Sequence, residues 1–121
     1  MPRFMALILG DPADEEADVS PDAWQAIMDD YNEFGANAGG VIGGGEALQP
    51  PSTAVSIKVD GKGGKVTRTE KPFAEAKEVV GGFYLLDADD MDSAIEWAAQ
   101  IPGAWTGRVV VQPCIDFSTS D

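Results

Sequence analysis

The stretch that most restricts what this chain can become is Phe83-Tyr84-Leu85-Leu86, bounded by Gly82 and Asp87. Alternate side chains of a strand point to opposite faces, so Phe83 and Leu85 share one face while Tyr84 and Leu86 share the other. Both sets are large and apolar, and such a strand needs cover on two sides. A helix is expected directly after it. Asp89 or Asp90 can cap its first N–H groups, Asp92 adds charge at the positive end of the dipole, and Met91, Ala94, Ile95, Ala98 and Ile101 recur at spacings of three and four. Pro102 and Gly103 are expected to end it.

Residues 2–9 repeat the two-faced pattern, with Phe4, Ala6 and Ile8 against Met5, Leu7 and Leu9. Gly10, Asp11 and Pro12 end this strand. The following DPADEEAD run holds five carboxylates in eight residues and reads as a solvated acidic loop, because calcium loops show a stricter alternation and a glycine turn. Ser20-Pro21-Asp22 is a strong helix start, and Trp24, Ile27, Met28, Tyr31 and Phe34 then form a helical stripe expected to pack in the core. The aromatic members of that stripe are alternatively the lining of a ligand pocket at one end.

Glycines at 43 to 45 suit a short strand that another backbone or a ligand approaches closely. The run is not a phosphate cradle: it lacks a following Lys-Ser/Thr and GxGxxG spacing, and Glu46 would repel a phosphate. Residues 53–59 alternate, DGKGG supplies a turn, and residues 65–69 return, which gives a hairpin with one wet face. The last strand is RVVVQPCIDF, which Pro113 pushes to a sheet edge or a bulge, and residues 118–121 form a short polar tail.

Composition narrows function mainly by exclusion. The chain has 121 residues, enough for one domain over residues 1–121, and no histidine. That absence removes Ser-His-Asp and Cys-His mechanisms and the common zinc centres, so no metal and no cofactor is expected. A net charge of −13 repels phosphate backbones and anionic membranes, which argues against nucleic acid and membrane partners. The apolar segment PRFMALILG, nine residues, is too short for a signal peptide or a span, and a cytoplasmic protein is expected. The single Cys114, in an apolar run, is expected to be a packed thiol.

The order βα, a strand with a hairpin, then βαβ points to an α+β fold, a ferredoxin-like βαββαβ sandwich with an inserted β-hairpin. The run PFAEAKEVVGGFYLLDADDMDSAIEWAAQIPG, with LILGD, GGGEALQPP and VVVQP, resembles the YCII-related proteins of the longer DGPF type over nearly the whole chain. The resemblance implies a dimeric α+β barrel. It also implies a link to regulation, since such proteins are often encoded beside extracytoplasmic-function sigma factors; a sigma-factor-linked regulatory partner is thus one expectation. Shorter relatives carry a His-Asp pair that suggests catalysis. Here no histidine exists, Asn37 stands near the place of the aspartate, and Glu70-Lys71-Pro72-Phe73 replaces Asp-Gly-Pro-Phe.

Site residues are sought in the PFAEAKE block. Glu75, Glu70 and Lys77 are the candidate acid/base groups, with Glu78 close by, because a carboxylate and an ammonium at a partly apolar pocket can shift each other's pKa. Glu46, Arg68, Pro72, Phe73, Glu75, Gly81 and Gly82 are the candidate ligand-binding set. The competing reading is a turn whose charges are solvated and whose Phe73 plugs the core. Two functions follow: a non-catalytic small-molecule-binding or regulatory module, or a histidine-independent lyase, isomerase or hydrolase that uses pocket carboxylates. A closed pocket lined by Glu75, Arg68 and an aromatic favours the second, a flat acidic face a protein partner. Two helices on one sheet face leave the other bare, so a homodimer through the helix-free face is expected, with the hairpin folded back over that face as its rival.

Overall fold

A computed structural model describes residues 1–118. The elements are β1 (Arg3–Gly10), α1 (Pro12–Glu16), α2 (Pro21–Asn37), β2 (Ile42–Ala47), a 3₁₀ turn at Pro51–Thr53, β3 (Val55–Val59), β4 (Val66–Glu70), β5 (Val79–Asp87), α3 (Met91–Ala98), α4 (Gly103–Thr106) and β6 (Arg108–Pro113). Four strands form an antiparallel sheet in the order β2-β5-β1-β6, and β3 pairs with β4 alone. The chain is thus α+β with antiparallel sheets, an arrangement compatible with a ferredoxin-like fold. The two strands whose faces are both apolar, β1 and β5, hold the sheet centre, where each has two neighbours to satisfy its backbone.

Helices α2 and α3 cover the same face. Phe34 and Ala38 from α2 meet Ala98 and Ile101, from α3 and the turn after it, over Ala6 of β1 and Leu86 of β5, all buried. Alanines at these contacts let the helices approach the sheet closely. Leu86 and Ile101 are the largest fully buried side chains, each stabilising the fold by roughly 1.5–3 kcal/mol. Phe34 also meets the Tyr84 ring edge-on, with centroids 5.1 Å apart. Register places Met5, Leu7, Phe83, Leu85 and Val110 on the opposite face, where each is half-buried and no helix among the described residues covers them.

Several expectations need correction. The acidic run at 11–18 is partly helical, because Asp11 caps it by accepting from the Ala13 N–H at 2.8 Å and Pro12 sits at the first helical position. The stripe on α2 is core only at its end. Phe34 is buried and Tyr31 half-buried, while Trp24, Ile27 and Met28 are 56%, 39% and 37% exposed. Tyr31 and Ile8, near the end of β1, both meet Gly103, and residues 21–30 before Tyr31, about 15 Å of helix, are all exposed. Ile95 on α3 is exposed too.

The second helix ends at Ala98, and Gly103–Thr106 adds a further helical turn before β6. The last strand stops at Pro113, on an edge strand as expected, so Cys114 is exposed rather than packed. Both faces of the β3–β4 ribbon are exposed, and no extended contact joins it to the sheet, so it does not cover the helix-free face. The polar tail, from residue 119 onward, lies outside the described residues.

Candidate functional site

At the end of the sheet where β1 finishes and β5 begins, the backbone lies bare. The pairing of β1 with β5 shifts between Ile8 and Leu9, which leaves Gly81 as the extra residue of a bulge beside Gly10. Capping by Asp11 starts α1 two residues after Gly10 and carries Glu15 back over this floor. A Cβ at Gly81 would stand 2.8 and 2.9 Å from the two Glu15 carboxylate oxygens, and one at Gly10 would stand 2.9 Å from Oε1. Glycine at both positions leaves room for the carboxylate, since a Cβ at either would push the end of the Glu15 side chain aside.

The Glu15 carboxylate accepts no hydrogen bond and joins no ion pair among the described residues. Partial burial, aided by the charge of Asp14, pushes its pKa above the ordinary carboxylate value. One phenol, Tyr31, feels the Glu15 charge, and a second, Tyr84, interacts with Tyr31. Burial raises the Tyr31 pKa, helped by Tyr84 and by Glu15, with the Gly103 backbone N–H acting the other way; burial alone raises that of Tyr84. A Cβ at Gly103 would come 3.1 Å from the Tyr31 hydroxyl oxygen, so this glycine also keeps the niche open. A half-buried carboxylate without a donor, near the desolvated hydroxyl of Tyr31, can accept a hydrogen bond or a proton from a small molecule.

The next residue faces the other way. Glu16 accepts from the Ser52 N–H at 2.6 Å and from its hydroxyl at 3.0 Å, which ties α1 to the 3₁₀ turn. Between them lies a recess of about 120 Å³ lined by Pro12, Glu16, Pro51, Ser52, Phe73 and Ala74. A larger open trough, about 390 Å³, runs beside α3 and β6 but is lined only by apolar residues such as Met91, Ile95 and Val109. No three Asp, Glu or Cys side chains converge to hold a metal ion among the described residues.

The candidate residues of the PFAEAKE region divide. Phe73 lines the small recess and is 46% exposed, so it does not plug the core. Pro72 precedes it, half-buried. Gly81 forms the floor under Glu15, while Gly82 is buried and lets the Glu46 carbonyl approach, a Cβ there standing 2.9 Å from it. Glu46 pairs in register with Phe83, exposed. Arg68 and Glu70 are away on the ribbon, where Arg68 Nε donates to Glu70 Oε1 at 3.0 Å in solvent. Glu75 and Lys77 are exposed and make no side-chain hydrogen bond or ion pair among the described residues. Glu78 is engaged by both Arg108 nitrogens, at 2.7 and 2.6 Å, which holds its carboxyl below the ordinary range.

Sequence reasoning missed Glu15, Tyr84 and the glycine floor at Gly10. A signal for Glu15 was present: Asp11-Pro12 is the same cap-and-proline start that marks α2 at Ser20-Pro21, and it puts Glu15 in the first turn beside Gly10.

Comparison with known proteins adds family and little chemistry. A family described as YCII-related domain matches residues 3–118. An uncharacterized protein of Rhizobium meliloti is 33% identical over 76 residues, and the match spans 61% of this chain and 60% of that relative's length. No helix among the described residues is long and apolar enough to cross a membrane.

Proposed function

The chain belongs to the YCII-related domain family, and from that premise we propose that it is a homodimeric, non-catalytic small-molecule-binding module acting in the cytoplasm. The observation that carries the reading is the Glu15 carboxylate, half-buried over Gly10 and Gly81 with no donor of its own. A ligand that donates a hydrogen bond or carries a positive charge supplies the missing partner, with Tyr31 near it and Gly10 and Gly81 beneath it. The Glu15 niche is only partly buried, which suits binding better than the enclosed, water-excluding site that proton chemistry needs.

Dimerisation is supported by the helix-free face. Met5, Leu7, Phe83, Leu85 and Val110 form one continuous apolar surface across three strands, and a second copy of the same face buries it about a two-fold axis. In the family's dimeric α+β barrel arrangement, the sigma-factor-linked regulatory role would read ligand occupancy through this contact.

One observation favours the second reading, a histidine-independent enzyme of lyase, isomerase or hydrolase type. The raised carboxyl of Glu15 beside the phenol of Tyr31 is a usable proton acceptor and donor. Glu75 and Lys77 remain the candidates for a second group, free of ion pairs among the described residues. A thermal-shift screen of small amines, amides and polyols, run on wild type, Glu15→Gln and Tyr31→Phe, separates these outcomes. Binding expects hits that lose their shift in Glu15→Gln and are recovered unchanged by NMR. Conversion of a hit by wild type but not by Glu15→Gln selects the enzyme, and shifts that survive both substitutions remove Glu15 as the seat.

A further inference from the structure

Two elements leave the body at the same end of the sheet without a partner. One is the β3–β4 ribbon, which enters after Ala47 and returns to Val79, a neighbouring pair of ends in the sheet. Every residue of both its strands is exposed. Register puts Val55, Ile57, Val59 and Val66 on one face together with the Arg68–Glu70 ion pair, and Ser56, Lys58, Thr67 and Thr69 on the other. The other element is the first half of α2, where residues 21–30 are all exposed and Trp24, Ile27 and Met28 form an apolar stripe. A two-stranded ribbon alone is marginal in water, and an apolar stripe on a free helix is equally out of place.

Their charges are opposite. Residues 55–71 carry five of the chain's eight basic residues, Lys58, Lys62, Lys65, Arg68 and Lys71, against Asp60 and Glu70. This segment is therefore +3 within a chain of −13, which leaves −16 on the remainder. The free half of α2 carries Asp22, Asp29 and Asp30 and no basic residue. The two also match in length: five strand residues reach about 17 Å and ten helical residues about 15 Å.

Within one chain they make no extended contact. The root of the ribbon is also fixed, since Leu48 N–H donates to the Gly81 carbonyl at 2.9 Å and Ser52 is held by Glu16. We propose that the apolar face of the ribbon of one chain packs on the exposed first half of α2 of a second copy, reciprocally about a two-fold axis. Positive ribbon meets acidic helix, and Trp24, Ile27 and Met28 cover Val55, Ile57, Val59 and Val66. The two symmetric contacts bury on the order of 1,000 Å², the lower range of a specific interface. They use elements separate from the helix-free sheet face, so either contact can fail without the other.

Charge reversal tests the pairing on residues that are fully outside the core. Asp29→Lys/Asp30→Lys in one chain, and Lys62→Glu/Lys65→Glu in another, are each expected to weaken self-association in sedimentation velocity by about tenfold. Mixing the two is expected to restore association as a heterodimer. In a Cys114→Ser background, separately made Ile57→Cys and Met28→Cys chains are expected to form a disulfide heterodimer on mixing and oxidation. Unchanged self-association in both reversals, or no rescue on mixing, overturns the proposal. So does a double Ile57→Cys/Met28→Cys chain that closes its disulfide within itself at high dilution, which would place the ribbon on its own helix.

Discussion

Leu85 and Leu86 are neighbours on β5 with opposite fates, and substituting each in turn tests the two-faced strand at its centre. Leu86 is fully buried between the sheet and the helices, packed with Ala6, Phe34 and Ile101. Leu86→Ala removes three heavy atoms from a site lined by two central strands and two helices, which can collapse only in part, so the cost is about 3 kcal/mol, from the 2–5 kcal/mol range for such cavities. For a chain of this size that lowers Tm by roughly 10 °C. Leu85 is half-buried on the helix-free face. Leu85→Asp leaves the helix-side packing intact but sets a charge in the face proposed to meet a second copy, which a buried contact does not tolerate. The expected outcome in circular-dichroism melts and light scattering is that Leu86→Ala melts early at unchanged mass, while Leu85→Asp self-associates more weakly, its mass falling below that of wild type on dilution. If Leu85→Asp keeps the mass of wild type, or if Leu86→Ala is neutral, the assignment of faces is wrong.

Other perturbations have equally definite outcomes. Arg108 and Arg3 hold Glu78 and Asp87 below their ordinary pKa values, 4.5 and 3.8, so each pair contributes stability that is present above those values and lost as pH falls through the lower, folded ones. Glu78→Gln is expected to flatten the acid limb of a Tm-against-pH curve, and an unchanged limb would show the pair to be inert. Gly45→Ala is expected to cost stability, since Gly45 has φ 158° and a Cβ would stand 2.6 Å from the Phe83 carbonyl oxygen; urea midpoints equal to wild type would count against this. Cys114 is exposed, so a thiol reagent should label it fully in the folded protein, and labelling only after denaturation would place it inside.

Side-chain alternation revealed the centre of this fold. Two strands with apolar residues on both sides belong in the middle of a sheet, and β1 and β5 are there. Helical periodicity was less informative, because Trp24, Ile27 and Met28 obey the same spacing as Phe34 yet are exposed. Spacing tells which residues share a face, not whether anything stands opposite. The candidate site was legible only in part. The Pro72-Phe73 and Gly81-Gly82 segments reach the right end of the sheet, but the carboxylate there comes from α1, about 60 residues earlier in the chain by the pairing of β1 with β5. A bulge at Gly81 and a capped helix after Gly10 bring them together, and neither the bulge nor the register is written in local periodicity.

The measurement closest to the proposed function is an NMR titration of the Glu15 side-chain carboxyl carbon in the wild-type protein without added ligand. A carboxylate half-buried over Gly10 and Gly81, beside Asp14 and with no donor among the described residues, is expected to titrate above the ordinary value of 4.5. Glu15→Gln identifies the resonance by removing it from the titrating set. A midpoint at or below 4.5 would mean that a cation, a hydrogen-bond donor or bulk water already serves the carboxylate, and the niche would then have no vacancy for a ligand to fill.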